Sequence, residues 1–352
     1  MLIILAVALI VAVWVWLIKF SGYRGILPYI IHFRSEEKNK LFSSLTQTDY
    51  KNSNIIYGVN FNSEYAAYLG FNPRHVYEKI LDDWQFKYIR LSAQWDLIEK
   101  TKGQYDWNDL DWMMNESAKR NVKVVLVVGH KTPRWPECHY PGWVDATSHS
   151  SHQPDLLNFI ATVVARYKNH PALEVWQVEN EPFLGFGACK PISAAYLKDE
   201  VALVKQLDPL HPTMVTDSGE LSLWRRAAKQ ADLFGTTLYR VVWNKKLGYW
   251  SYDWILPPLA YTAKLWLNGR DVSSAYITEL QAEPWIPNRP LADTPLAEQF
   301  KSMSLDRLKS IVDFAARTGM PRAYLWGAEW WLWLETRGVH EFSDYIKQVK
   351  KE

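Results

Sequence analysis

With 352 residues, 40 basic and 38 acidic side chains and a formal charge of +2, the chain has room for one barrel-sized domain or two ordinary ones. No block of basic residues is present to track phosphates, so composition argues against nucleic acid as a partner. The 19 tryptophans are the unusual number, and several stand in polar surroundings, as in Pro133-Arg134-Trp135-Pro136 and Pro284-Trp285. Core packing accounts for most single tryptophans. The excess as a group suits a ligand with flat apolar faces, which a pyranose ring offers.

Residues 2–18 form an unbroken apolar run that spans roughly 26 Å as a helix, near the lower limit for a bilayer core. Trp14, Trp16, Phe20 and Tyr23 lie where an interfacial belt is expected, and Lys19 and Arg24 can reach headgroups. No basic segment precedes the run and no small-x-small cleavage signal follows it before Tyr23. The segment therefore reads as an uncleaved transmembrane anchor over residues 1–20, followed by a juxtamembrane linker over 21–54. Lys19, Arg24 and Arg34 all follow the run, and the positive-inside rule then keeps the remainder cytoplasmic. Cys138 and Cys189, the two cysteines of the chain, point the other way if they pair, because a disulfide needs an oxidising compartment. They pair or remain free thiols; an outward-facing, extracytoplasmic domain is the expectation.

From residue 55 onward, short β-branched or aromatic runs alternate with helical patterns, the signature of βα units and a parallel sheet. Strands are predicted over 55–60, 87–91, 122–128, 173–178, 213–216, 233–238, 275–278 and 323–326. After Pro154, Leu156, Leu157, Ile160, Val163, Val164 and Tyr167 keep one helical face. A second helix is predicted from Thr294-Pro295 to just before Gly319. Eight parallel strands with intervening helices predict an α/β fold, a (β/α)8 TIM barrel over residues 55–352, preceded by the one transmembrane helix. No G-x-G-x-x-G follows the first strand, which weighs against dinucleotide binding.

Catalytic residues of such a barrel sit at the C-terminal ends of strands. The fourth strand runs into Glu179-Asn180-Glu181-Pro182 and the seventh into Glu279. These ends lie on opposite sides of the mouth, so their carboxylates face each other where a glycosidic bond would lie. Hydrolysis needs one carboxyl protonated for the leaving oxygen and the other ionised to attack carbon or activate water.

The run Trp176-Gln177-Val178-Glu179-Asn180-Glu181-Pro182 resembles the strand-4 signature of clan A glycoside hydrolases, and Ile277-Thr278-Glu279 resembles that clan's strand-7 segment. Tyr167-Lys168-Asn169-His170-Pro171, and Trp95 followed by Gly103-Gln104-Tyr105-Asp106-Trp107, are similar as well. The resemblance implies a retaining β-glycosidase, cellulase-like or β-galactosidase-like, without a cofactor, with Glu181 as acid/base and Glu279 as nucleophile. It also implies that Arg90 supplies a positive charge beside Glu279 and that Tyr239 hydrogen-bonds the nucleophile. Asn180 would bind the sugar 2-hydroxyl, His130 and Glu329 would contact the sugar, and Trp326 would form its floor.

Glu179 competes with Glu181, and Glu283 with Glu279, for the two roles. Glu174 and Glu220 read as surface or loop charges. His130, Glu137, Cys138 and His139 crowd one loop, but their spacing matches no standard zinc pattern, so no metal is expected. The loop, with Trp135, Trp143 and its prolines, reads instead as a subsite wall, and residues 240–258 form a second aromatic-rich insertion. Two other readings are a transglycosylase that remodels surface polysaccharide and an anchored, non-catalytic carbohydrate-binding barrel.

Overall fold

The computed structural model describes residues 55–287 and 290–349. Eight strands close into a parallel barrel: β1 (Ile56–Asn60), β2 (Tyr88–Ser92), β3 (Lys123–Val128), β4 (Leu173–Val178), β5 (Thr213–Asp217), β6 (Leu233–Leu238), β9 (Ala275–Gln281) and β10 (Arg322–Trp326). β1 closes the ring by pairing with both β10 and β2. The β7–β8 hairpin (Val241–Asn244 and Gly248–Ser251) rises from the 240–258 insertion, which the sequence leaves as a loop.

Strand bounds agree with expectation to within two residues, except at the seventh barrel strand. β9 runs to Gln281, so Glu279 lies inside the strand rather than just after it. The cause is a bulge. Thr236 pairs with Ile277 but Thr237 pairs with Glu279, which leaves Thr278 as the extra residue, and the register with β10 shifts at the same place. Bulges bend a strand and re-aim the side chains around them.

Two predicted helices also differ. The one expected from Pro154 starts earlier, at His149, because the Ser148 side chain accepts from Ser151 N and caps it. The one expected over 294–318 is a short helix, Leu296–Gln299, followed by Leu305–Arg317 with Ser304 as N-cap. The Thr294 hydroxyl donates backwards to Pro290 O, and buried Gln299 donates to Leu291 O and Thr294 O, which ties that first piece into a separate turn.

Inside the barrel, Val125, Val175, Met214 and Tyr324 form a buried layer with Tyr88, Leu233 and Tyr276 against it. Arg322 lies over the Tyr88 and Tyr276 rings, at 3.9 and 5.1 Å, and pairs with Glu174. Glu174, whose side chain is 27 % exposed, is thus a part-buried ion-pair partner rather than a free surface charge. Glu220 lies in the turn after β5, a loop position, but is buried: it is 4 % exposed and accepts from Tyr239 N and the Tyr261 hydroxyl. Neither environment is encoded by local pattern, because both partners are distant in sequence.

Among the described residues no helix is long and apolar enough to cross a membrane. The expected anchor over 1–20 and linker over 21–54 lie outside the described residues.

Cys138 and Cys189 form a disulfide with a Cα separation of 5.2 Å, joining the loops after β3 and β4. Closing a loop of this span restricts the unfolded chain by about 4 kcal/mol on chain-entropy grounds. The Cys138→Ser/Cys189→Ser variant should therefore melt several degrees lower in calorimetry. An unchanged melting temperature would show that other contacts hold the two loops.

Candidate active site

The mouth of the barrel is organised around two buried glutamates, Glu279 on β9 and Glu181 in the turn after β4. Arg90 Nη1 donates to Glu279 Oε1 at 2.9 Å and the Tyr239 hydroxyl donates to Oε2 at 2.9 Å. Burial, then the charge of Glu279, pushes the Tyr239 phenol well above its ordinary range, so it stays protonated and can only donate here. Arg90, 2 % exposed, also donates to Asn60 Oδ1, Gln177 Oε1 and Asn180 Oδ1. One guanidinium thereby fixes groups from β1, β4, the turn after β4 and β9.

The turn after β4 separates the two glutamates that compete in the sequence. Glu179 and Glu181 both adopt left-handed backbone, with φ of 58° and 43°, a conformation uncommon for non-glycine residues and concentrated at functional sites. It sends Glu179 away from the mouth. Its oxygens accept from His130 N at 3.0 Å and Lys131 N at 2.7 Å. Burial alone would raise the Glu179 carboxyl, but the His130 ring and these amides outweigh it and hold the group below its ordinary range.

Glu181 lies in the opposite kind of environment. Its backbone N–H donates to Thr216 Oγ1, and Oε1 accepts from the Thr237 hydroxyl at 3.3 Å. Burial, then the charges of Glu279 and Glu137, push its carboxyl well above the usual range. Lys131, itself buried, holds the turn by donating Nζ to Glu181 O and Leu184 O.

Two groups in the mouth, Glu137 and Arg134, are not marked by the sequence as parts of a catalytic site. Glu137 accepts from Asn180 Nδ2 at 3.2 Å, and burial with the Glu279 charge pushes it up to about 7. Arg134 lies between the Tyr65 and Trp326 rings, at 3.8 and 4.2 Å from their centroids, and pairs with Glu283 and Glu329. Trp326 Nε1 donates to Glu283 at 2.8 Å. The Trp326 face expected to be open is therefore covered by Arg134, and Glu283 is engaged away from Glu279. Glu329 is buried and accepts from Asn62 N. An aromatic chain runs outward from Tyr239 through Trp285 and Phe186 to Trp135, which is 70 % exposed.

His130 is not brought to the mouth. Its ring stacks on Tyr140 at 4.8 Å, and Nδ1 lies 3.0 Å from Glu179. The other members of the crowded loop are dispersed: Cys138 is in the disulfide, Glu137 faces Asn180, and His139 contacts Gln94 and Asp96.

Residues 60–191 match the family model described as Glycosyl hydrolase family 10. A probable mannan endo-1,4-beta-mannosidase F of Emericella nidulans is 26% identical over 129 residues, 33% of this chain and 28% of that protein. The solved β-galactosidase from Rahnella sp. R3 aligns over 85% of this chain and 57% of its own, with a TM-score of 0.53 and 13% identity. Xylanase 10B from Thermotoga petrophila RKU-1, solved with xylobiose, aligns over 78% of this chain and 82% of its own, with a TM-score of 0.52 and 16% identity. The chain thus spans about a quarter of the curated mannosidase, and the solved structures share its fold.

The buried position of Glu179 depends on Gly129. A Cβ there would stand 2.4 Å from the Glu179 carboxyl carbon, at a φ of +129° that side chains avoid. Gly129→Ala should cost roughly 2 kcal/mol or more of stability, measured by chemical denaturation. A neutral result would mean that the Glu179 carboxylate can relocate freely.

Proposed function

We propose that this glycoside hydrolase barrel cleaves β-glycosidic bonds of an oligo- or polysaccharide by double displacement, with retention, using Glu279 as nucleophile and Glu181 as acid/base. The observation that carries the reading is the contrast between the two carboxyls. Arg90 and Tyr239 both donate to Glu279, whereas Glu181 is kept protonated by burial and by the charge of Glu279. A carboxylate held by donors can attack the anomeric carbon. A carboxylic acid opposite it can protonate the leaving oxygen.

The same coupling supplies the second half of the cycle. Once Glu279 is esterified to the sugar its charge is gone, and one cause of the raised Glu181 pKa goes with it. Glu181 is then more readily left ionised, the form that can take the proton of the water that releases the sugar. Asn180, fixed through Oδ1 by Arg90, is suited to the sugar 2-hydroxyl, and Trp326 and Glu329 to the sugar nearer the floor, where Arg134 shares the contact. The aromatic chain from Tyr239 to Trp135 suits further sugar rings of a polymer, because each ring can cover a pyranose face. The disulfide favours an extracytoplasmic domain, against the cytoplasmic side that the positive-inside pattern of Lys19, Arg24 and Arg34 gives.

Glu279→Ala should abolish turnover of all β-glycosides tested. Glu181→Ala should cost about 10²–10⁴-fold on substrates with poor leaving groups and far less on activated aryl glycosides. Equal losses on both classes would reject Glu181 as the proton donor, and undiminished hydrolysis by Glu279→Ala would reject the mechanism. NMR of the first-formed anomer tests retention.

Because Glu181 must be protonated, activity should fall as pH rises through its raised pKa. Glu137→Gln removes one of the charges that raise it, so the alkaline limb of kcat/KM should move to lower pH. A limb that stays in place would remove Glu137 from the electrostatics of the site. Trp135→Ala should raise KM for long oligosaccharides while leaving aryl monoglycosides unaffected. An equal effect on both would place Trp135 outside the subsites.

A further inference from the structure

Behind the β3 and β4 strand ends, apart from the mouth, three histidines meet in the interior. His130 follows β3, while His149 and His152 lie on the first turn of the helix His149–Tyr167. One ligand nitrogen from each lies within 4.8 Å of the others, and His130 and His152 are each 1 % exposed. Glu200, on the helix Ala194–Leu207 and 0 % exposed, places Oε1 3.6 Å from His149 Nε2.

The hydrogen bonding of this cluster is incomplete on its inner side. His152 Nδ1 lies 3.2 Å from Asp145 O, an acceptor, which sets the proton on Nδ1 and leaves Nε2 with its lone pair free. That Nε2 and the Nε2 of His149 have no hydrogen-bond partner, and neither carboxyl oxygen of Glu200 meets a donor. Buried polar atoms are ordinarily paired, so several unpaired atoms converging in one place call for a ligand. His130 Nδ1, 3.0 Å from Glu179 Oε1, has the carboxylate contact that orients metal-bound imidazoles from their outer side.

Glu179 and Glu200 are both fully buried beside these imidazoles, and Lys131 donates its Nζ to backbone carbonyls rather than to either carboxyl group.

We propose that His130, His149, His152 and Glu200 bind a divalent transition-metal ion, zinc foremost, which clamps the β3 loop and the following helix to the helix after β4. Three imidazoles and one carboxylate suit zinc in type and number. Tetrahedral ligation at about 2.0–2.1 Å places the nitrogens about 3.4 Å apart, so the rings close inward on binding. His149, whose side chain is 17 % exposed, is the member with freedom to move and gives access from solvent. Held in this way, His130 fixes Glu179, and with it the turn that carries Glu181.

The test uses the tag-free full chain, stripped with chelator and titrated with Zn²⁺. Elemental analysis after gel filtration should find about one zinc per chain, with a raised melting temperature. Co²⁺ should give the visible bands of a four-coordinate nitrogen–oxygen site without thiolate bands, because both cysteines are in the disulfide. His149→Gln/His152→Gln should lose the bound equivalent and the thermal shift, and its melting point should match that of the stripped parent. Should the double variant fail to fold, His149→Gln alone, at the partly exposed position, should weaken Zn²⁺ binding by at least ~10-fold. No zinc uptake by the folded, stripped parent would overturn the proposal, as would unchanged binding by either variant.

Discussion

The mouth of this barrel depends on a single buried guanidinium. Arg90 sits where four strand ends converge and meets Asn60, Gln177, Asn180 and Glu279 through separate N–H groups. Only arginine offers that many donors in a rigid plane. A lysine would keep the charge but lose the simultaneous register of β1, β4 and β9. Breaking a buried pair of this kind costs about 3–5 kcal/mol, because the partner is left charged and unpaired. Arg90 therefore acts on stability and on the placement of Glu279 together.

The turn after β4 then divides labour between two glutamates of the same short segment. Left-handed backbone at Glu179 and Glu181 turns one side chain under the strand ends and the other into the mouth. The lower carboxylate receives backbone N–H groups and is favoured as an anion. The upper one lies near Glu279 and Glu137 and is favoured as an acid. Identical residue types thus acquire opposite protonation preferences from their surroundings.

Much of this was legible in the sequence. Runs of β-branched and aromatic residues marked all eight barrel strands, because strands buried on both faces need continuous apolar stretches. The Asn-Glu-Pro turn and Ile277-Thr278-Glu279 marked the strand ends that carry the carboxyls. The bulge at Thr278 was not visible, since it arises from pairing with β6 and β10 rather than from local composition. The same holds for Arg134 over Trp326 and for Glu137 beside Asn180. Their φ values of 92° and 72° belong to a loop whose path is set by the disulfide and by Lys131, not by any short-range preference. His130 was misplaced for a related reason: a strand-end position fixes where the backbone is, but one residue's change of direction decides which side the ring takes.

The loops after β3 and β4 bear on the chemistry more than their length suggests. Lys131 O accepts from Asn180 N, Val128 O accepts from Glu179 N, and the His130 and Lys131 amides bond the Glu179 carboxylate. The disulfide joins the same two loops further out. A carboxyl with the proposed role of exchanging a proton twice in each cycle is best held by backbone that does not move between the two steps. The strained geometry at Glu179 and Glu181 is uncommon in a free chain and persists where several independent contacts enforce it. Glu181 is accordingly positioned by what lies behind the barrel mouth, and Glu279 by what lies within it.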